Sequence, residues 1–246
     1  MKYFIDTEFI EGFHKPLFGK RRHFIDMISI AIVAEDGREY YAISTDFNPK
    51  DASQWVKDNV ISKLPDRHVD FYDSPSSKSE ARLWKSNNKI AKEIIEFINP
   101  KVGTEGYTGW IDKHNPIADG SSSHGWAQPE FYAYYADYDW VLFCSLFGTM
   151  MDLPKGFPMY CKDIKQILDD KVSKWTKGGT PAQLAEYKKE CERLGGMYSI
   201  IFNNNFNDLL NEVKAHKFYP KEIDEHNALS DAKWNKQLYE FINLWL

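Results

Sequence analysis

The chain has 246 residues, 43% of them hydrophobic and 15% aromatic, with 31 basic against 36 acidic side chains and a net charge of -5. That is enough apolar material for one sizeable core. The acidic balance argues against a protein that coats nucleic acid through bulk positive charge, although an enzyme can still meet nucleic acid at a local site. Three cysteines, Cys144, Cys161 and Cys191, are odd in number and widely spaced. They form no zinc-type spacing and no disulfide framework, so a reducing compartment is expected. The N-terminus does not read as a signal peptide, and no apolar run is long enough to cross a membrane. The expectation is a soluble, cytoplasmic protein with no membrane partner.

In chain order, Lys2 to Ile10 reads as a first strand, and Glu11 to His23 as a loop containing Gly12, Pro16 and Gly19. Phe24 to Ala34 is β-branched and apolar, a second strand. Asp36-Gly37 is a tight hairpin signal, and Glu39 to Ser44 is a third strand. The chain therefore opens with an antiparallel meander. Ser53 to Leu64 reads as a short helix and an extended piece, and Asp66 to Lys85 as loop with a helix starting late in it. Ser86 to Ile98 carries Ile90, Ile94, Ile95 and Ile98 at helical spacing.

Val102 to Trp110 is a weak strand, and Asp112 to Gln128 is loop. Pro129 to Tyr138 is an aromatic strand, followed by a helix over Asp139 to Phe147. Asp163 to Leu168 starts another helix. Thr180 to Leu194 reads as a Lys/Glu-rich helix and Phe206 to Lys214 as a short one. Asn227 to Leu246 is a terminal helix with Leu229, Ala232, Leu238, Phe241, Ile242 and Trp245 as its apolar set. Strands first, then alternating β and α, predict an α/β fold with a mixed sheet flanked by helices.

Asp6 and Glu8 stand in Phe4-Ile5-Asp6-Thr7-Glu8-Phe9-Ile10. On a strand, residues i and i+2 point to one face. Two like charges that close repel and lose hydration on burial, unless a cation lies between them. A hard divalent metal suits such a pair. Asp139 stands where a strand hands over to a helix, with Asp137 as its competitor, and Asp231 lies near the start of the last helix, five residues after His226. Four carboxylates and a histidine are what two-metal phosphodiester hydrolysis requires. Two ions about 3.5–4 Å apart clamp the attacking and leaving oxygens, and a nearby base takes the proton of the attacking water.

The order Asp-x-Glu, a central Asp, then His-x-Ala-x-x-Asp resembles the DEDDh class of 3′–5′ exonucleases, which have the RNase H-like fold. It is closest to the RNase AS-like (adenylate-specific) exoribonuclease family of bacteria and phages. The matching stretches are Tyr3 to Glu11, Ile25 to Ala42, Tyr138 to Leu142 and His226 to Ala232. The resemblance implies a single RNase H-like domain over residues 1–246, with a mainly helical insertion at about 169–222.

It further implies Asp6, Glu8, Asp139 and Asp231 as ligands of two Mg²⁺ or Mn²⁺ ions. Asp6 would bridge them, Glu8 would also orient the attacking water, and His226 would act as general base. Thr7, Phe9 and Ile10 sit where such enzymes contact the terminal nucleotide. The substrate implied is single-stranded nucleic acid, RNA on the strength of the resemblance, cleaved from its 3′ end to nucleoside 5′-monophosphates. Small enzymes of this class often form homodimers.

Other readings stand beside this one. A DNA exonuclease of repair or proofreading type would use the same residues, and no residue here reads a 2′-hydroxyl. A non-catalytic nucleic-acid-binding module on the same fold is the reading from a different class. Taken singly, Asp6 and Glu8 would be a solvent-facing pair, Asp139 a helix cap and His226 a surface histidine. Lys20-Arg21-Arg22-His23, with Lys15, is either a solvated loop or a phosphate contact. Phe131 to Tyr135 reads as aromatic strand core before base-stacking surface; Trp110, Trp126 and His124 sit in an unassigned loop, which reads as plain loop before base-stacking surface. The cysteines read as packing.

Overall fold

A computed structural model describes residues 1–14, 19–67, 74–98, 128–176, 189, 206–221 and 223–246. The expected strand at 102–110, the loop at 112–128 except Gln128, and most of the Lys/Glu-rich helix at 180–194 lie outside these residues, as do Lys15, Trp110, His124 and Trp126.

Six strands form one mixed sheet: β1 (Lys2–His14), β2 (Arg22–Ala34), β3 (Glu39–Ser44), β4 (Trp84–Lys85), β5 (Glu130–Ala133) and β6 (Lys162–Asp163), in the spatial order β4-β3-β2-β1-β5-β6. β1, β2 and β3 form the antiparallel meander, while β3–β4, β1–β5 and β5–β6 pair in parallel. Gly37 takes φ 91° at the β2–β3 turn, a conformation that glycine adopts without steric cost. The helices are α1 (Gln54–Asn59), α2 (Pro75–Ala81), α3 (Asn87–Ile98), α4 (Asp137–Ser145), α5 (Ile164–Thr176), α6 (Phe206–Lys214) and α7 (Ala228–Trp245). This mixed, helix-flanked sheet is the architecture expected, and it is consistent with an RNase H-like fold. Among the described residues, no helix is long and apolar enough to cross a membrane.

The two faces of β1 separate two cores. Phe4 packs with Ala31, Val33, Leu168, Ala232, Leu238 and Phe241 under α5 and α7. Tyr3 and Ile5 face the other way, onto Ile30, Ile32, Ile90, Ile94, Leu142 and Phe143 under α3 and α4. Period-2 alternation on a strand covered on both sides produces this division. Phe131 and Tyr132 of β5 are buried on opposite faces, so this part of the aromatic run is core. Helix α6 also enters the first core through Leu209 and Val213.

Several boundaries differ from the sequence reading. Of the expected loop at 11–23, residues 11–14 and 22–23 are strand. β1 continues to His14 and β2 begins at Arg22, so the two form a long hairpin arm. Cross-strand ring contacts stabilise it: Phe13 meets His23 edge-on at 5.5 Å, and His14 stacks on Phe24 at 4.2 Å. The ladder shifts register between Glu8 and Phe9, a bulge that bends the pair just beyond the two carboxylates. Past it, Ile10 and Ile28 join Ala52 and Val60 in a third apolar cluster, against which Val56 of α1 also packs.

β5 stops at Ala133 rather than running to Tyr138. Tyr134 to Ala136 form a turn, with Tyr135 at φ 56°, and α4 begins at Asp137. The short strands β4 and β6 were not expected. Helix α2 and the full length of α5 exceed the pieces the sequence suggests.

Candidate active site

β1 places Asp6 and Glu8 on the same face as Phe4, beneath α7. Helix α7 begins when the side chain of Asn227 accepts hydrogen bonds from the amides of Leu229 and Ser230. Such a cap satisfies amides the first turn leaves unpaired, and it sets Asp231 in that turn. Carboxylate oxygens of Asp6, Glu8 and Asp231 then lie within 4.8 Å of one another. Asp6, Asp231 and His226 line one open cleft with Tyr134, Trp234 and Asn235.

Asp139 arrives from the other side of the strand. β5 pairs with β1 only as far as Phe4, so the edge of β1 beyond that point has lost its neighbour. The amide of Thr7 donates to Asp139 Oδ1 at 2.9 Å and its hydroxyl donates to the same oxygen at 2.6 Å. Asp139 thus caps the open edge of β1 while its charge stays close to the other carboxylates. It is 7% exposed, whereas Asp137 faces solvent. The two competitors differ in setting: Asp139 is buried, bonded to Thr7 and near enough for its charge to act on Asp6 and Glu8, though it stands outside the group of three that lie within 4.8 Å, and Asp137 is none of these.

The electrostatics follow from the crowding. Burial, then the charges of Asp139, Asp231 and Glu8, hold the Asp6 carboxyl well above its ordinary value. Burial and the Asp231 and Asp139 charges push Glu8 up to about 8, with Lys63 pulling the other way. Burial pushes Asp139 up to about 7, opposed by its two bonds from Thr7 and assisted by Asp163 and Asp231. Carboxylates that resist ionisation together form an oxygen donor set suited to a hard divalent cation, whose charge relieves the repulsion.

His226 precedes α7 in a segment whose backbone is unusual. Its φ is 67°, and that of Asp224 is 58°. Its amide donates to Asp231 Oδ2 at 3.2 Å, and the Trp55 ring meets its imidazole edge-on at 4.8 Å. Of the residues expected to meet a nucleotide, Phe9 is half-buried and packs edge-on against Tyr138 at 5.2 Å. Thr7 is buried on Asp139, and Ile10 has no exposed surface and sits in the third apolar cluster.

Two contributors escape sequence reasoning. Asn235, 1% exposed, donates from Nδ2 to the Ile5 carbonyl at 2.9 Å and fastens α7 to β1 beside Asp6. Its position four residues after Asp231, on the same helix face, is the signal that was available. Trp55 lies 171 residues before His226, and no local pattern joins them.

No family model matches the chain. It is 35% identical over 171 residues to a 3'-5' exoribonuclease of Mycobacterium tuberculosis strain CDC 1551 / Oshkosh, a match that covers 70% of this chain and 76% of that protein. The 3'-5' exoribonuclease of strain ATCC 25618 / H37Rv matches with the same identity and coverage. With this likeness over most of both chains, the protein belongs to the family of these 3'-5' exoribonucleases.

Proposed function

We propose that the protein is a two-metal 3′–5′ exoribonuclease of the DEDDh type, which hydrolyses single-stranded RNA and releases nucleoside 5′-monophosphates. The observation that carries the reading is the convergence of Asp6, Glu8 and Asp231 within 4.8 Å, with Asp139 held alongside by Thr7 and His226 on the same cleft. Membership of a family whose named members are 3'-5' exoribonucleases supports the direction and the substrate class. The chain acts as one RNase H-like domain over residues 1–246, with residues 169–222 as a mainly helical insertion. Cys144 and Cys161 are free thiols, which suits a cytoplasmic enzyme.

The donor set is all carboxylate, which fits Mg²⁺ or Mn²⁺. Asp6, Glu8, Asp139 and Asp231 would hold the two ions. When bound, these supply charge neutralisation at the scissile phosphate and acidify the attacking water. Asp139 keeps its place through Thr7, and Asp231 through the capped start of α7. His226 accepts the proton of the water. The water oxygen bonds to phosphorus, the bond to the upstream 3′-oxygen breaks, and the terminal nucleotide leaves with its 5′-phosphate. The 3′-oxygen left on the shortened strand takes up a proton.

The test is hydrolysis of 3′-labelled single-stranded RNA and matched DNA, with Mg²⁺ or Mn²⁺ and with chelator. Stepwise loss of 3′ label as mononucleotide from RNA, abolished by chelator and by Asp6→Ala, is the expected result. Intact RNA under all conditions refutes the reading. The same assay on homopolymers tests the adenylate preference, with poly(A) degraded fastest.

A further inference from the structure

The segment around His226 is strained and is held from outside. Asp224 and His226 both adopt positive φ, at 58° and 67°. Non-glycine residues seldom adopt this region and persist there where the surroundings over-determine them. Lys63 supplies much of that restraint. Its Nζ donates to the Glu225 carbonyl at 2.7 Å and lies 3.5 Å from Asp224 Oδ1. The Trp55 ring packs edge-on against the imidazole. From the helix side, Ser230 Oγ donates to the Ile223 carbonyl.

Lys63 and Trp55 belong to one short unit, α1 and the 3-10 turn Ile61–Lys63 that follows it. Val60, between them, is 2% exposed in the apolar cluster with Ile10 and Ile28. The unit is therefore anchored to β1 and β2 just past the bulge that follows Glu8. One rigid path runs from the strand bearing Asp6 and Glu8, through Val60, to the segment bearing His226.

We infer that Lys63 and Trp55 are positioning residues that fix the His226 imidazole relative to the carboxylates of β1. This rests on the proposed role of His226 as base. An ammonium on a backbone carbonyl is a charge-assisted bond, and it fixes the peptide beside His226. The Trp55 edge limits the rotation of the ring. Neither residue needs to touch the reacting atoms. A group displaced by about 1 Å loses on the order of a hundredfold in rate.

The experiment uses the full chain with Mn²⁺ on 3′-labelled RNA, comparing Lys63→Met, Trp55→Leu, Lys63→Arg, His226→Ala and the double variant Lys63→Met/His226→Ala. Lys63→Met is expected to lower kcat by roughly ten- to a hundredfold with KM within about twofold, and Lys63→Arg to recover most of it. At saturating Mn²⁺, so that the Lys63 charge near Glu8 does not enter through metal affinity, the lysine change in the His226→Ala background is expected to cost nothing further, because both then act through one group. In the metal-free protein, the His226 amide should exchange faster with solvent in Lys63→Met than in the parent. A raised KM with a smaller salt dependence and unchanged kcat would identify Lys63 as a phosphate contact and overturn the inference. So would a full additive loss in the double variant, or unchanged amide exchange. If His226→Ala itself keeps the parent rate, the base assignment falls and takes this inference with it. A dead His226→Ala beside an unaffected Lys63→Met overturns the positioning role alone.

Discussion

Thr7 and Asp139 are joined twice, through the Thr7 amide at 2.9 Å and the Thr7 hydroxyl at 2.6 Å, both on Asp139 Oδ1. The pair ties the middle of β1 to the first turn of α4 across the edge that β5 leaves open. Replacing Thr7 with Val keeps the amide bond and removes the hydroxyl donor. A buried acceptor that loses a partner costs about 1–3 kcal/mol, read as a lower midpoint in urea. The hydroxyl also lowers the Asp139 pKa from where burial would put it. In Thr7→Val the carboxyl therefore holds its proton to a pH above 7, and more metal is needed for hydrolysis at neutral pH. Thr7→Ser restores the donor and should behave as the parent. A Thr7→Val enzyme with unaltered metal dependence would show that Asp139 is placed by other means.

Stability and metal binding should respond to pH in opposite ways. Glu8, raised to about 8 from an ordinary 4.5, and Asp139, raised to about 7 from 3.8, keep protons in the folded state that the unfolded chain releases. Between the ordinary and raised values the native protein binds more protons, so the metal-free fold loses stability as pH rises. The contribution is complete below about pH 4 and gone above about pH 8. Melting of the chelated protein should fall steadily from pH 5 to 8.5, each 1 kcal/mol lost lowering Tm by roughly 2–4 °C in a chain of this size. Added Mn²⁺ should raise Tm little at pH 5 and most at pH 8.5, because the ion competes with those protons. A metal-induced shift that is equal at both pH values would contradict this coupling.

The parts of this design visible in the sequence are those written in local order. Alternation around Asp6 and Glu8 places them on one face, and the isoleucine spacing of α3 and the apolar set of α7 place those helices. The arm is not visible in this way. Glycines and charges at 11–23 read as loop, while the ring pairs Phe13–His23 and His14–Phe24 that make it strand are long-range facts. Strands β4 and β6, two residues each, are too short to carry a period. Thr7 reads as a residue between two carboxylates, and only the fold shows that its hydroxyl turns to Asp139. The restraint on His226 joins residues 55 and 63 to residues 224–226, and nothing local could reveal it.

Asp231→Asn should move stability and activity in opposite directions. Removing one of the charges that repel Asp6 and Glu8 lowers both of their pKa values toward the ordinary range, and the metal-free protein should melt higher at pH 8. An amide oxygen still accepts the His226 amide, so the segment before α7 keeps that bond. Hydrolysis should fall by more than about a hundredfold, beyond the 10–100-fold typical of residues that merely support a ligand. The Tm rise with Mn²⁺ should shrink as well. A variant that is both less stable and metal-responsive would mean that Asp231 serves the fold and not the ion.

If the basic residues of the hairpin arm contact the substrate's phosphates, binding should depend on their charge. Phe13 is 53% exposed, and the Arg21 guanidinium stacks on its ring at 4.6 Å. Glu11 accepts from Tyr138 Oη at 2.9 Å and contacts His23 at 2.7 Å, which joins the base of the arm to α4 next to Asp139. Lys20, Arg21 and Arg22 are exposed on the arm. Each phosphate neutralised on a single strand contributes a slope of about -0.7 in log affinity against log salt. Neutralising all three as Lys20→Gln, Arg21→Gln and Arg22→Gln should raise KM at low salt and flatten its salt dependence by up to about 2 in slope. kcat should not change, because none of the three is among the charges that act on Asp6, Glu8 or Asp139. The same change should leave the Tm within about 1 °C, since surface charges of this kind contribute little to stability. A KM that stays constant across salt in both proteins would assign the arm to something other than the substrate.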